Sequence, residues 1–591
     1  MRLPAVKTEN RFKRQIQGFG GLNLTQSYSA GEMRDCSGIS HRKFPAITQR
    51  QKSELAFSCQ SPTSAAYGGK ECIAADDGLY YDRKKVGDLS PGKKQLVILG
   101  TKIIVFPDKV YYDTKTEKFA DLCGKCRTHE TTVTFSTNSI TVPSEKYEEK
   151  HEIEVSFFSK AAQLLTYSEV SVSSGKVIFS GHALKTASEM EEGTVFHEKC
   201  GENQYRIVRG VTYQEESETY EVRNELVTVE NVMKGIFSGI KAGDVVQIEG
   251  CVLAANNKSA AVVSVGANVL TFEDETFIEY KETANITIGR KIPDFTCVCS
   301  YENRLWGCEG NTVYASALGD AANFFVYKNL STDSFTVTSN SAGDFTACVS
   351  YGNCCLFFKE NSCFKLYGNR PSNFQLSESF SSGIMKEDNM SIVSTGGRVI
   401  YKGNGGVYVF YGGIPQRISD KLGSFSMNNA VGGSDGKYYY LSGDTENGRE
   451  EFVWDIEKNL WSKSGVTDAL GYFRSGADMY RLKNTGIERM CEETDDEAVW
   501  SITLCPFDEG YYNTKNYSRI HIRAQLFEGA HICAEIKSDG GEWRNVNTSY
   551  GDEKKYINIP CVVKGCHEVQ LRLSGKGKSI IESIVREFSV N

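Results

Sequence analysis

A chain of 591 residues is longer than one hydrophobic core sustains, and 40% hydrophobic with 24% charged residues excludes a disordered or collagen-like protein. A formal net charge of −8 argues against a general nucleic-acid binder, which needs a basic surface to neutralise phosphate. With 55 Gly, 30 Tyr and 31 Phe against 11 Pro, the residues favour many short strands joined by glycine turns. An all-β protein of about three domains is expected.

Residues 1–60 read as an N-terminal arm, basic at its start, with Arg2, Lys7, Arg11, Lys13 and Arg14 against Glu9. A solvated arm is the plain reading and a DNA or partner contact the alternative. No apolar run has the length of a membrane-spanning segment, and the start lacks the apolar stretch of a signal peptide, so the protein is expected to be made and kept in a cytosol. The 19 Cys fit this, being odd in number and scattered through apolar contexts such as Cys297, Cys299, Cys354 and Cys355. They read as small buried hydrophobes. The N-x-S/T triplets at Asn23 and Asn329 then read as chance.

Residues 61–122 carry an internal repeat of roughly 30 residues, a period that points to propellers or arrays. Two segments each end on Tyr-Tyr-Asp, at Tyr80-Tyr81-Asp82 and Tyr111-Tyr112-Asp113, followed by a basic turn and a short strand. The pattern stops at Cys123 and returns across 291–500 in four further units, with a half-unit, ALGYFRSGADMYRL, that strands from the N-terminal side would complete. Six or seven blades of a β-propeller are expected. The gap at 123–290 is too long for a loop. Its alternating strands predict an inserted β-barrel region of one or two small barrels, with Ser144–Glu154 as a solvated hairpin tip. Across 501–591, Ile520, Ile522, Ala524 and Leu526, then Ile532, Ala534 and Ile536, then Val569, Leu571 and Leu573, follow period two and predict a separate C-terminal β-sandwich. Helices play little part.

Several motifs touch on chemistry. Cys123-Gly-Lys-Cys126 with His129 lacks the second ligand pair of a zinc site and the βαβ setting of a redox motif, so it reads as a turn with two thiols. Gly432-Gly-Ser434-Asp-Gly436 has the spelling of a nucleophile elbow but runs into the strand YYYL, which makes Ser434 a hairpin residue. Gly575 to Ser579 ends like a phosphate-binding loop, yet Arg572 stands where that motif needs Gly, so it is a turn. Ser538-Asp539-Gly-Gly541-Glu-Trp543 is partly similar to an Asp-box hairpin, a stabiliser of turns. The paired carboxylates Glu191-Glu192 and Asp495-Asp496 lie in polar runs and read as solvated surface. With 8 His and no base, nucleophile and orienting acid in one pattern, the expectation is no catalytic residue, no metal, no cofactor and no enzyme.

Three phrases resemble a known family. QGFGGLN (Gln17 to Asn23), followed by GEMRDCSGIS and FPAITQRQK, resembles the start of tailed-bacteriophage tail and head-completion proteins, through Phe19, Gly21, Leu22, Asn23, Gly31, Glu32, Asp35, Pro45 and Arg50. It departs from that pattern at Gly38 and Ile39, where an Asn would be usual. ENRLWGCEGNTVYASALGDAANFF (Glu302 to Phe325) is similar to a blade phrase of podovirus tail-nozzle and stabilisation proteins. There Leu305 and Val313 would point inward while Asp320 and Asn323 satisfy a turn. GGVYVFYGGIPQRISD (Gly405 to Asp420) is similar to the same proteins. The resemblance implies a structural virion protein of the tail or head-to-tail channel, with a nozzle or stabilisation role. It would be made in the bacterial cytoplasm and assembled as a homo-oligomeric ring beside other tail or connector proteins, with viral DNA passing unread. Phe19, Leu22 and Asn23 are its implied arm contacts, a strand that closes the propeller being the equal alternative. Trp543, with Tyr511 and Tyr512, would serve instead in a receptor- or carbohydrate-binding tail tip, if exposed. A propeller glycosidase would need clustered carboxylates in a pocket.

Overall fold

The computed structural model describes residues 11–591 except 380–381, 552–553 and several short stretches between 129 and 238, and within 152–228 it describes the backbone alone. The protein is all-β, and its helical elements among the described residues are short 3₁₀ turns. The chain divides into two compact units. One comprises Asp121–Ile292 with Ala322–Lys328, and the other Met1–Ala120, Pro293–Ala321 and Asn329–Asn591.

The larger unit contains seven four-stranded antiparallel sheets, at residues 64–87, 95–121, 297–338, 347–379, 393–417, 428–466 and 471–494, the last completed by the strand Gln51–Phe57. We number them first to seventh. In each, the second strand is covered on both faces, which explains apolar runs without alternation such as Cys354–Phe358, buried at every position. The first strands follow one another in contact, Ser64–Tyr67 to Gln95–Leu99 to Cys297–Tyr301 and onward to Gly471–Ser475, which touches Ser64–Tyr67 again.

Neighbouring sheets share apolar clusters and polar ties. The Tyr-Tyr-Asp repeat falls on the third strands of the first two sheets, where the rings of Tyr81 and Tyr112 meet at 5.4 Å. Gln95 of the second sheet donates to the Thr296 carbonyl at 2.8 Å and accepts from the Val298 amide of the third at 3.0 Å. Lys359 of the fourth donates to the Ser341 carbonyl at 2.7 Å and to Asn311. Asp388 pairs with Lys402 of the fifth at 3.1 Å and accepts the Ala430 amide of the sixth at 2.9 Å. Each tie satisfies a polar group that burial would otherwise strand.

The same unit holds two larger sheets. One is six-stranded, with the strand order Ile39–Ser40, Ile47–Gln49, Ser579–Val590, Lys515–Leu526 and Lys554–Cys566, and with Arg11–Ile16 also paired to Ser579–Val590. The other runs Met33–Ser37, Val499–Leu504, Val569–Lys576, His531–Ser538 and Arg544–Tyr550. The period-two residues of 520–573 are buried within one core. Two expectations differ here. Residues 11–57 do not stand apart as an arm: Ile16, Met33, Cys36, Ile39 and Ile47 are buried, because the C-terminal sheets need those strands as partners. Nor is 501–591 separate, since its core is continuous with Trp454 and Trp461 of the sixth sheet.

In the smaller unit, strands pair into an eight-stranded sheet, from Cys126–Arg127 through Val245–Glu249 and Ser139–Thr141 to Tyr280–Ala284, and a six-stranded sheet between 152 and 228. Val133, Phe135, Ile140, Val246, Ile248, Leu270 and Ile288 fill its core. Of the expected hairpin tip, residues 144–151 lie outside the described residues, as do His129, Glu191, Glu192 and the first ten residues.

Candidate functional site

The phrase around Gly20 and Gly21 is a close crossing of backbones. A Cβ on Gly21 would stand 2.7 Å from both the backbone N and O of Trp461, and one on Gly20 would stand 2.6 Å from the Glu32 side chain. Only glycine lets the segment lie this near. Once there, the Leu22 amide donates to the Trp461 carbonyl at 2.6 Å and Asn23 to the Met33 carbonyl at 2.8 Å, while Leu24 donates to the Lys421 carbonyl at 2.7 Å.

Glu32 holds this crossing from the side. One carboxylate oxygen accepts Asn23 Nδ2 at 2.8 Å and the Ser29 amide at 2.7 Å, and the other takes Lys421 Nζ at 2.8 Å. Burial alone would raise the Glu32 carboxyl, but the hydrogen bonds from Lys421, Ser29 and Asn23 outweigh it and hold it below its usual range. His41 is buried, and its Nε2 donates to the Gly20 carbonyl at 3.3 Å. That burial depresses its pKa, so the imidazole is neutral at pH 7.

Beside the crossing lies a polar crevice of about 220 Å³, walled by Ile39 to Arg42, by Arg50, Gln51 and Ser53, and by strands of the sixth and seventh sheets. Arg42 lies 4.5 Å over the Tyr438 ring and donates to the Tyr440 hydroxyl at 2.8 Å. Both carboxylate oxygens of Glu451 of the sixth sheet accept Nη2 of Arg481 of the seventh, at 2.7 and 2.5 Å, and Glu451 also accepts the Tyr472 hydroxyl at 3.2 Å. Burial would lower the Arg481 pKa, but Glu451 overrides it and raises it above normal. The other lining carboxylates are matched too: Asp455 by Lys458 at 3.0 Å, Asp468 by Lys483 at 3.0 Å and Asp495 by Arg50 at 3.5 Å. Of these pairs, Glu451 with Arg481 clamps one sheet to the next. These clamp residues escaped the sequence reading. The signal was there in charges at inward positions of strands, Glu451 in GREEFVWD and Arg481 in DMYRLK.

The residues singled out from sequence fall as follows. Phe19 and Leu22 are core residues and Asn23 is buried among hydrogen bonds, so as arm contacts they are corrected: this chain itself covers them. Trp543 is half-buried, with the Arg572 guanidinium 4.0 Å from its ring centroid and Lys537 Nζ at 5.1 Å. Tyr511 packs on Phe12 and Phe588, whereas Tyr512 is fully exposed. Ser434 donates to the Tyr438 carbonyl at 2.8 Å within a hairpin. Asp539 accepts the amides of His567 and Glu568 at 2.8 and 2.9 Å, and Gly577, at φ +86°, turns one strand into the next. Burial pushes the Cys126 thiol up to about 11, away from thiolate chemistry. Among the described residues no three His, Cys, Asp or Glu side chains converge as a metal site, and no helix is long and apolar enough to cross a membrane.

No family model and no curated protein matches the sequence. Among solved structures the chain is similar to the exo-β-1,3-galactanase of Phanerochaete chrysosporium, at 7% identity and a TM-score of 0.21, over 50% of this chain and 97% of that one. It is similar to the N-terminal domain of Nup159 at 10% identity and 0.22, over 48% and 90%. It is also similar to PorZ, a surface component of the type-IX secretion system of Porphyromonas gingivalis, at 8% and 0.23, over 90% and 77%. Likeness at these scores bears on neither activity nor partner.

Proposed function

We propose that this chain is a non-enzymatic structural protein of a tailed-bacteriophage virion, serving in the tail or head-to-tail channel as a ring of identical subunits. In this reading the seven four-stranded sheets are the blades of a propeller closed by Gln51–Phe57, and the eight-stranded sheet is a small inserted barrel. The observation that carries it is what the family-like phrases do. Gly21 and Leu22 form the backbone crossing on Trp461, and the buried Phe19 donates its amide to the Pro45 carbonyl at 3.2 Å. Arg304 is fully buried and donates to the carbonyls of Ser316, Ser331 and Asp333. Ser419, also buried, accepts the Val407 amide at 2.9 Å. All three phrases are spent on framework, as a load-carrying particle protein requires.

The cavity among the first strands of the sheets measures about 400 Å³ and is lined by no Asp, Glu, Lys or Arg. That is small-ligand size. A DNA duplex could only pass between copies of the chain, where the acidic net charge suits passage without grip.

Light scattering of the purified chain, alone and with the other tail proteins of its particle, tests the reading. A closed ring in either case supports it, and a monomer in both overturns it. A receptor- or carbohydrate-binding tail tip is the second reading. Exposed Tyr512 favours it, whereas the cation stacked over Trp543 occupies the ring a sugar would need.

A further inference from the structure

Five cysteines gather where the third and fourth sheets face each other. Cys297, Cys299 and Cys308 come from the third, Cys348 and Cys355 from the fourth. Cys299 Sγ and Cys355 Sγ stand 3.3 Å apart in a thiol–sulfur hydrogen bond. The arrangement follows from the strands. Cys297 and Cys299 lie two apart on one first strand, Cys348 lies on the next first strand, and Cys355 sits on the second strand of its sheet, paired with Ser350.

Access differs among them. Cys308 and Cys355 are wholly buried, while Cys299 is partly exposed and, with Cys297 and Cys348, lines the cavity of about 400 Å³. Of the three thiols lining this cavity, Cys299 is the most exposed to a molecule the size of a peroxide. The thiols of Cys348 and Cys355 hydrogen-bond to the Cys299 sulfur and favour its thiolate. Burial raises the other two well above the ordinary thiol value, so they stay protonated as donors.

We propose that Cys299 and Cys355 form an oxidation site, in which a peroxide converts the two thiols into a disulfide that clasps the third sheet to the fourth. The Cys299 thiolate attacks one peroxide oxygen, the O–O bond breaks and hydroxide leaves, giving a sulfenic acid. The Cys355 thiol then attacks that sulfur, the S–O bond breaks and the oxygen leaves as water. Two thiols and one peroxide have become one disulfide and two waters. Closing the S–S bond to about 2.05 Å needs a sulfur displacement of little more than an ångström. A reducing cytosol keeps the clasp open, and an oxidising medium closes it.

The test is peptide mapping of the folded chain, without reduction, after brief treatment with hydrogen peroxide. The partly exposed thiols Cys491 and Cys533 serve as internal controls. The expected result is one cross-linked pair of peptides, containing Cys299 and Cys355, lost in both Cys299→Ser and Cys355→Ser, and a thermal midpoint that rises on oxidation in the parent but in neither variant. A bond from Cys299 to Cys348, or oxidation of Cys491 and Cys533 with Cys299 left as free thiol, overturns the proposal. Should Cys355→Ser fail to fold, Cys299→Ser alone decides, because its serine keeps the size of the thiol at a partly exposed position.

Discussion

The Leu22 amide reaches the Trp461 carbonyl at 2.6 Å, and the Trp461 indole in turn donates to the Ile418 carbonyl at 2.8 Å. Through that pair an N-terminal loop, the outer strand of the sixth sheet and the end of the fifth become one packed assembly.

Gly21→Ala is expected to destabilise the chain by about 2 kcal/mol, since its methyl meets backbone rather than a side chain that could swing away. Thermal unfolding measures this. Gly413→Ala, where a Cβ meets nothing within 4 Å, should leave the midpoint unchanged.

Glu32 gives the chain an acid-sensitive joint. Its folded pKa lies below the ordinary 4.5, so the stability it contributes is complete above 4.5 and is lost as pH falls through the depressed folded value. Glu32→Gln should therefore lower stability at pH 7 while flattening the fall below pH 4.5, as chemical denaturation at a series of pH values would show. An unchanged acid slope would remove Glu32 from that role.

Arg304 is a buried cation whose partners are three carbonyls. Arg304→Met removes those three donated hydrogen bonds, at a cost of about 3 kcal/mol. Arg304→Lys should recover only part of it, because one ammonium cannot span three acceptors held by a planar fork. Soluble yield and thermal midpoint both report on this.

Glu451→Gln keeps shape but strips the charge that Arg481 was buried against, and about 3 kcal/mol should be lost. The double change Glu451→Gln with Arg481→Met should be milder than the sum of the single ones, which a double-mutant cycle measures.

Strand content was readable because period-two alternation survives wherever one face is solvated, as in Ile520, Ile522 and Ala524. The Tyr-Tyr-Asp repeat marked equivalent third strands for the same reason: Tyr81 and Tyr112 occupy matching registers, opposite Cys72 and Ile103. The placement of residues 11–57 was not readable. Which edge Met33–Ser37 or Gln51–Phe57 completes depends on strands more than four hundred residues away, and no local pattern carries that information. Phe19 and Leu22 stood out through a family-like phrase, yet a phrase tells nothing of burial. The clamp of Glu451 and Arg481 was hidden because inward charges on strands look like solvated ones until their partner is known.

The seventh sheet has a consequence for biosynthesis. Its fourth strand, Gln51–Phe57, leaves the ribosome early, but its partner Gly486–Thr494 comes late, and Arg11–Ile16 waits longer still for Ser579–Val590. Until then these early strands carry unpaired backbone edges, open to any strand of another chain. Completion of the fold thus waits until Gly486–Thr494 and Ser579–Val590 have been made, and unfinished copies lying side by side are where this protein is most exposed to mispairing.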